Sequence, residues 1–384
     1  MASGKDTLNI AIVGMGFMGR AHSSGWLEAA RFLSPPLTPV PHTVYGRDPA
    51  RTRAFADHWG YAHAAVTGDG LTFADEIDLV DVLTPNHLHR PQTTAALEAG
   101  KAVACEKPLA GTLDDARAMA ELARKHKART FVWYNYRRCP AVALAARLVR
   151  EGKLGTITRV RASYLQDWAP AEVPLLWRFQ KDPAGSGAMG DLNAHIVDMT
   201  RFVTGMEITD ICGSATGTFI TERNLPDGSG TGTVTVDDTS IFLARWANGA
   251  LGSFEGCRQA TGNSNRNGFE INGSKGAVRF DFERMNELEY YDATAPRATQ
   301  GWTNILCTHA GDHAYLEAWW PDGHLIGYDH TFAHQAADIL RTLGGETPTV
   351  PLPDFDDAYQ TQRVLEAALI AADKKTWIAM NDVK

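Results

Sequence analysis

The segment Gly190-Asp191-Leu192-Asn193-Ala194-His195 sets a carboxylate four residues ahead of an imidazole. On a helix that spacing puts both side chains on one face. A carboxylate there can orient the ring and raise its basicity, which makes an acid–base unit. The same residues also read as an Asp helix cap followed by a core histidine. Cys105-Glu106-Lys107-Pro108 offers a second proton-handling group. An ammonium near a partly buried site and a positive charge has a depressed pKa and exchanges protons near neutrality; the alternative is a surface lysine in a loop. Leu83-Thr84-Pro85-Asn86 is a Pro-Asn turn at the end of an apolar run, where open α/β sheets bind ligands. His87 and His89 follow it with no carboxylate or thiol at ligand spacing, so no metal is expected. The chain has neither a GxSxG elbow nor an HExxH pair, which argues against a common hydrolase or a zincin.

The elements that must carry these groups begin with Leu8 to Val13, a short apolar run of buried-strand type. It ends at Gly14-Met15-Gly16-Phe17-Met18-Gly19, a GxGxxG that opens a helical stretch from Phe17 to Phe32. Gly14 permits the tight turn, Gly16 lets the backbone approach a pyrophosphate, and Gly19 lets helix and strand pack closely. The anion then lies at a helix N-terminus. Ser34 to Pro41 holds four prolines and is expected to be a loop. Further strands are expected at Thr43–Tyr45, Asp78–Leu83, Lys101–Cys105 and Thr130–Trp133, with helices at Pro49–Trp59, Pro91–Ala99 and Leu113–Lys127. Strand and helix in alternation imply a doubly wound parallel sheet.

An acid expected at the tip of the second strand would bind the ribose hydroxyls of NAD. Gly46 stands there instead, with Asp48 displaced and Arg47 and Arg51 able to hold a 2′-phosphate or stack on adenine. By these residues alone NADP is as well supported as NAD. Taken together, the groups fit hydride transfer: Lys107 or His195 accepts a hydroxyl proton while the carbon gives its hydride to a nicotinamide.

After about Pro140 the pattern changes. A helix from Ala141 to Glu151 leads into strand-like runs at Ile157–Leu165, Thr239–Trp246, Ala250–Cys257, Phe269–Asn272, Ala277–Phe282 and Glu287–Tyr291. Turns such as Ala247-Asn248-Gly249 suit hairpins, so a large, open, mainly antiparallel sheet is expected. One helix near Asp191–Phe202 interrupts it, and helices at His330–Leu343 and Asp354–Lys374 end the chain. Thr221–Gly232 reads as a mobile loop. The expected division is therefore a Rossmann domain over 1–138 and an α+β domain for substrate and oligomerisation over 139–384, whose last helices can pack back on the first.

The net charge of −8 across 384 residues lacks the footprint of a nucleic-acid binder. Five scattered cysteines without a CxxC speak against a disulfide framework or structural zinc. A short polar start and the lack of any apolar run near ~20 residues lead to the expectation of a cytoplasmic protein with no membrane partner.

These residues resemble the glucose–fructose oxidoreductase and inositol dehydrogenase family, Gfo/Idh/MocA, over nearly the whole chain. The resemblance is carried by the GxGxxG, Thr84-Pro85-Asn86, Glu106-Lys107-Pro108, Tyr134-Asn135-Tyr136-Arg137-Arg138, Trp177-Arg178 and Gly190-Asp191 through His195. It implies a Rossmann domain followed by a domain with a large open sheet, assembled as a homodimer or homotetramer through that sheet. It implies Lys107, Asp191 and His195 as catalytic residues. It places Phe17, Met18, Arg47, Arg51, Thr84, Pro85, Asn86, His89, Glu106, Lys107, Asn135, Trp177 and Arg178 near the cofactor, with Tyr328 as a further candidate.

Within the family, Tyr164 to Trp168 and Trp177 to Gly187 resemble the levoglucosan dehydrogenase-like pyranoside dehydrogenases, which oxidise a ring hydroxyl at C3 with NAD. That implies a pyranose, anhydrosugar or glycoside as substrate and favours NAD, with NADP the alternative. Tyr136 and Gln166 could bind sugar hydroxyls, and Trp168 could stack on a ring face or simply pack in the core. Three other functions stay open: an inositol dehydrogenase acting on a polyol, an NAD-dependent redox-assisted glycosidase, and a non-enzymatic NAD(P) sensor.

Overall fold

The computed structural model describes residues 6–67 and 71–384. Two compact units divide them. One holds the chain up to Arg138 with Glu317–Trp320 and Ile326–Tyr359; the other holds Cys139–Leu316, Pro321–Leu325 and Gln360–Lys384.

The first unit alternates strand and helix: β1 (Thr7–Val13), α1 (Phe17–Phe32), β2 (Thr38–Gly46), α2 (Pro49–Trp59), β3 (His63–Val66), β4 (Leu79–Val82), α3 (His89–Glu98), β5 (Ala102–Cys105), α4 (Leu113–His126) and β6 (Thr130–Val132). The strands lie side by side in the order β3-β2-β1-β4-β5-β6, all parallel. The order reverses between β1 and β4, and ligands of such sheets bind outside the strand ends at that switch point. Ile10, Ile12 and Val13 are buried, each stabilising the unit by about 1.5–3 kcal/mol. Every residue of β4 is buried as well, so its Asp81 is a carboxylate inside an otherwise apolar layer.

The proline-rich segment is strand from Thr38 onward, not loop throughout. Thr38 N–H donates to Asp6 O, so strand alternation turns Pro39 and Pro41 toward the other edge. Pairing with β3 begins only at Thr43, and prolines are tolerated where no ladder bond is needed.

The second unit begins with α5 (Pro140–Arg150), β7 (Ile157–Leu165), α6 (Lys181–Ala184) and α7 (Ala194–Thr204). It continues through β8 (Ile208–Gly217), β9 (Glu222–Asn224), β10 (Thr231–Thr233), β11 (Thr239–Trp246), β12 (Leu251–Cys257), β13 (Arg266–Gly273), β14 (Gly276–Asp281), β15 (Glu287–Asp292), β16 (Trp302–Leu306) and, near the end of the chain, β17 (Ile378–Ala379). Among the described residues all of these strands but β9 and β10 make a nine-stranded sheet in the order β16-β15-β14-β13-β7-β12-β11-β8-β17. Its pairs are antiparallel except β7 with β12. In β11, Ser240, Phe242, Ala244 and Trp246 turn inward while Ile241 and Leu243 are exposed, the alternation of a sheet covered on one face. Helix α7 packs on β7 and β13.

Thr221–Gly232 contributes to a hairpin, β9 with β10, where a mobile loop was expected. The cause is Arg223. Its buried guanidinium donates to the carbonyls of Ala169, Pro170 and Val173 and lies 3.9 Å over the Phe179 ring.

Two helices complete the set, α8 (His330–Leu343) and α9 (Phe355–Lys374). Helix α8 belongs to the first unit and packs on α1, where Gly25 lets the helices approach: a Cβ there would stand 2.9 Å from Phe332 Cβ. Among the described residues no helix is long and apolar enough to cross a membrane.

Candidate active site

The turn between β1 and α1 explains its glycines one by one. Gly14 has a φ of +113°, and a Cβ on it would meet the Leu83 carbonyl at 2.8 Å. A Cβ on Gly19 would lie 2.8 Å from the Gly14 carbonyl. A Cβ on Gly16 would find nothing within 4 Å, and the residue is exposed. Gly16 is also the N-cap of α1, with no side-chain cap and no acid in the first turn. A helix N-terminus whose amides are open, uncapped and free of nearby acids fits a pyrophosphate.

Gly46 also has a steric reason. A Cβ there would crowd Thr52 Oγ1 and stand 2.5 Å from Met15 Cε, so a side chain at the tip of β2 would have to displace both. Asp48 caps α2 by accepting from Arg51 N–H. Arg47 and Arg51 are exposed beside it.

Two buried histidines brace the next loops. His89 places Nε2 2.9 Å from Thr84 O, and Nδ1 3.1 and 3.2 Å from the carbonyls of Pro108 and Leu109. Both ring nitrogens are thereby taken up in joining the Thr84-Pro85-Asn86 turn to the loop after Lys107. His22, on α1, has Nδ1 3.0 Å from Asp81 Oδ2 and Nε2 2.9 Å from Glu106 Oε1. Asp81 also accepts from the indoles of Trp26 and Trp133. The other Glu106 oxygen accepts from Lys107 N–H at 3.1 Å. Burial disfavours the charged ring of His22, but the charges and hydrogen bonds of Asp81 and Glu106 prevail and raise its pKa to about 9. Cys105, buried beside them, has its thiol pKa pushed well up by burial and is inert.

In the second unit, α7 is entered through a π-helical turn, Met189–Asn193. Such one-turn bulges re-aim side chains and gather at functional sites. The amides of Gly187 and Met189 donate to the buried Asp237. Asp237, not Asp191, therefore serves as the cap. Asp191 instead turns its Oδ2 to Arg258 Nη2 at 3.1 Å. Arg258 is fully enclosed; it also donates to Arg178 O and lies 5.6 Å from the Trp168 ring centre. His195, on the first turn of α7, meets Tyr164 edge to face at 5.7 Å. Tyr164 O–H and Gln166 Nε2 both bond Asn265 Oδ1. Asn267, paired with Tyr164 across β13 and β7, is wholly buried, and its side-chain amide finds no partner among the described residues.

Comparison with known proteins decides the family. Residues 8–134 match the oxidoreductase family with an NAD-binding Rossmann fold, and residues 142–279 match the GFO/IDH/MocA C-terminal domain. The chain belongs to the Gfo/Idh/MocA oxidoreductases. It is similar to levoglucosan dehydrogenase of Pseudarthrobacter phenanthrenivorans, with 38% identity over 97% of each chain. Among solved structures it resembles an oxidoreductase domain protein from Kribbella flavida, with TM-score 0.92 and 46% identity, covering 97% of this chain and 99% of that one. It also resembles levoglucosan dehydrogenase in complex with NADH and levoglucosan, with TM-score 0.92 and 36% identity, covering 97% and 99%.

As a Gfo/Idh/MocA chain, its anticipated residues fall into two groups. In the first unit, Phe17 stacks on Tyr328 with ring centres 6.1 Å apart, and Tyr136 lies 6.5 Å from Tyr328. Asn135 donates to Thr331 Oγ1, and Thr84 to Gln92. Met18 is half-buried and Asn86 buried. In the second unit, Arg178 lies 4.5 Å over the Trp177 ring. Trp168 packs on Phe179 at the rim of a small core of Ala169, Leu175, Val234 and Val236. Sequence reasoning misses three residues: His22, Arg258 and Asn267. Asp81 carries a signal for the first, since an acid inside a buried strand needs a partner. Arg258 and Asn267 have none.

Proposed function

We propose that the chain oxidises a ring hydroxyl, at C3, of a pyranose, anhydrosugar or glycoside, with NAD as oxidant. The observation that carries this reading is the Asp191–Arg258 pair beside His195. A buried guanidinium aims the carboxylate, so Asp191 accepts a hydrogen bond from a sugar hydroxyl and holds it. The bound nicotinamide supplies the hydride acceptor. As the hydride leaves the carbon, the hydroxyl proton passes to Lys107 or His195, and the carbon ends as a ketone. Gln166 and Trp168 are the residues of the second unit assigned to the sugar, and the likeness to levoglucosan dehydrogenase supports an anhydrosugar or glycoside. NAD is favoured over NADP by that likeness, with Arg47 and Arg51 the residues on which the choice turns.

The test is formation of reduced nicotinamide across a panel of pyranoses, anhydrosugars, glycosides and inositols, with NAD and NADP in parallel. Reduction of NAD by levoglucosan or a glycoside supports the reading. Turnover with inositols alone overturns it in favour of a polyol dehydrogenase.

A further inference from the structure

We propose that His22 is a positioning residue: held between Asp81 and Glu106, it fixes the Glu106 carboxylate and, through it, the backbone of Lys107. The inference rests on the reading of Lys107 as a group of the reaction.

Both nitrogens of His22 face carboxylate oxygens, at 3.0 and 2.9 Å. An ionised carboxylate only accepts, so a neutral ring would oppose a lone pair to one of them. The three groups satisfy their contacts when the ring carries both protons and both acids are ionised. Both Asp81 oxygens also act as acceptors elsewhere, from the indoles of Trp26 and Trp133. The enclosure is complete: Trp133 lies 4.0 Å from the His22 ring centre, and Phe332 of α8 5.2 Å. Asp81 comes from β4, Glu106 from the end of β5, and Trp26 from the helix of His22 itself. Among the described residues no other charged group is hydrogen-bonded to the ring. Without His22, Asp81 keeps its two indole donors and Glu106 Oε2 keeps the Lys107 N–H, but Glu106 Oε1 loses the His22 donor and the carboxylate is no longer held from both sides.

The consequence reaches Lys107 because Glu106 spends one oxygen on each neighbour. Oε1 is held by His22, and Oε2 receives the Lys107 N–H. The carboxylate is therefore a rigid link between the middle of α1 and the residue after the strand end. A catalytic group displaced by about 1 Å loses about 10²-fold in rate.

The experiment is a double-mutant cycle on the full-length protein with His22→Gln, Glu106→Gln and the pair. The expected result is a kcat about 10²-fold lower for His22→Gln, an unchanged KM for the sugar, and a double variant no slower than the slower single. Additive losses, or a His22→Gln enzyme at full kcat, would overturn the proposal. A second readout needs neither variant nor turnover: nitrogen NMR of histidine-labelled wild-type protein at pH ~8, above the ordinary histidine range. A doubly protonated His22 ring is expected, and a neutral one overturns the proposal even if the variants fail to fold. Failure of the parent reading looks different: a Lys107→Ala enzyme keeps full turnover, while the His22 ring state is measured all the same.

Discussion

Arg258 Nη2 stands 3.1 Å from Asp191 Oδ2, with the guanidinium enclosed and the carboxylate 22% exposed. One partner is locked in the protein and the other reaches outward, an arrangement suited to presenting a fixed acceptor. Arg258→Met should cost about 3 kcal/mol, the low end for a broken buried pair, because Asp191 keeps some solvent. Urea melts measure it. Adding Asp191→Asn should restore much of the stability but not the activity, which separates folding from function.

The glycine turn gives a paired prediction. Gly14→Ala should lower both stability and NAD affinity, since the backbone is left-handed there and Leu83 O stands in the way. Gly16→Ala has room and should melt within about 0.5 kcal/mol of wild type. Its methyl group nonetheless enters the space left for the pyrophosphate, so NAD should bind at least about tenfold more weakly, about 1.4 kcal/mol. Thermal melts beside NADH fluorescence titrations check both.

Two buried histidines set opposite limbs of the stability–pH curve. His22 has its pKa raised to about 9. Its contribution is fully present below about pH 6.5 and is lost as pH rises through about 9. His334 has its pKa lowered to about 3 by burial, against the pull of the Arg138 carbonyl. Its Nδ1 faces Arg138 O at 3.0 Å, and its Nε2 accepts from the Trp319 indole at 2.7 Å, which together describe a neutral ring. The unfolded chain protonates this residue below about pH 6.5, so stability falls as pH drops from there toward about 3. Urea melts from acid to alkaline pH should show both limbs. His334→Gln should flatten the acid limb, and His22→Gln the alkaline one.

Asn267 carries an amide with no partner among the described residues, inside the sheet face that bears Tyr164. Asn267→Leu should raise stability by about 1–3 kcal/mol, because an unsatisfied buried group is removed. We expect the sugar KM to rise at the same time, the usual exchange at a functional site. An unfolding curve and a saturation curve on one preparation test the pair of effects.

Much of this was legible in the residues. Phe17–Phe32, Ile157–Leu165 and Thr239–Trp246 begin and end where their periodicity places them, because glycines and turn residues bound them sharply. The prolines of β2 misled, since a proline rule does not know which strand edge is open. Thr221–Gly232 misled for a similar reason: its polar composition suggested a loop, but the order comes from Arg223 and carbonyls some fifty residues away in sequence. Asp191 and His195 stand out as acid–base candidates because their four-residue spacing is local. The π turn that aims Asp191, and Arg258 that holds it, depend on pairing between β12 and the segments around it, and no local pattern announces that.

The measurement that bears most directly on the central claim is the structure of the product formed from levoglucosan and NAD, followed by carbon NMR while reduced nicotinamide is counted. One ketone, at C3, is expected for each NADH formed, with loss of both signals in Lys107→Ala. A carbonyl at another carbon, or a Lys107→Ala enzyme with full turnover, would contradict it.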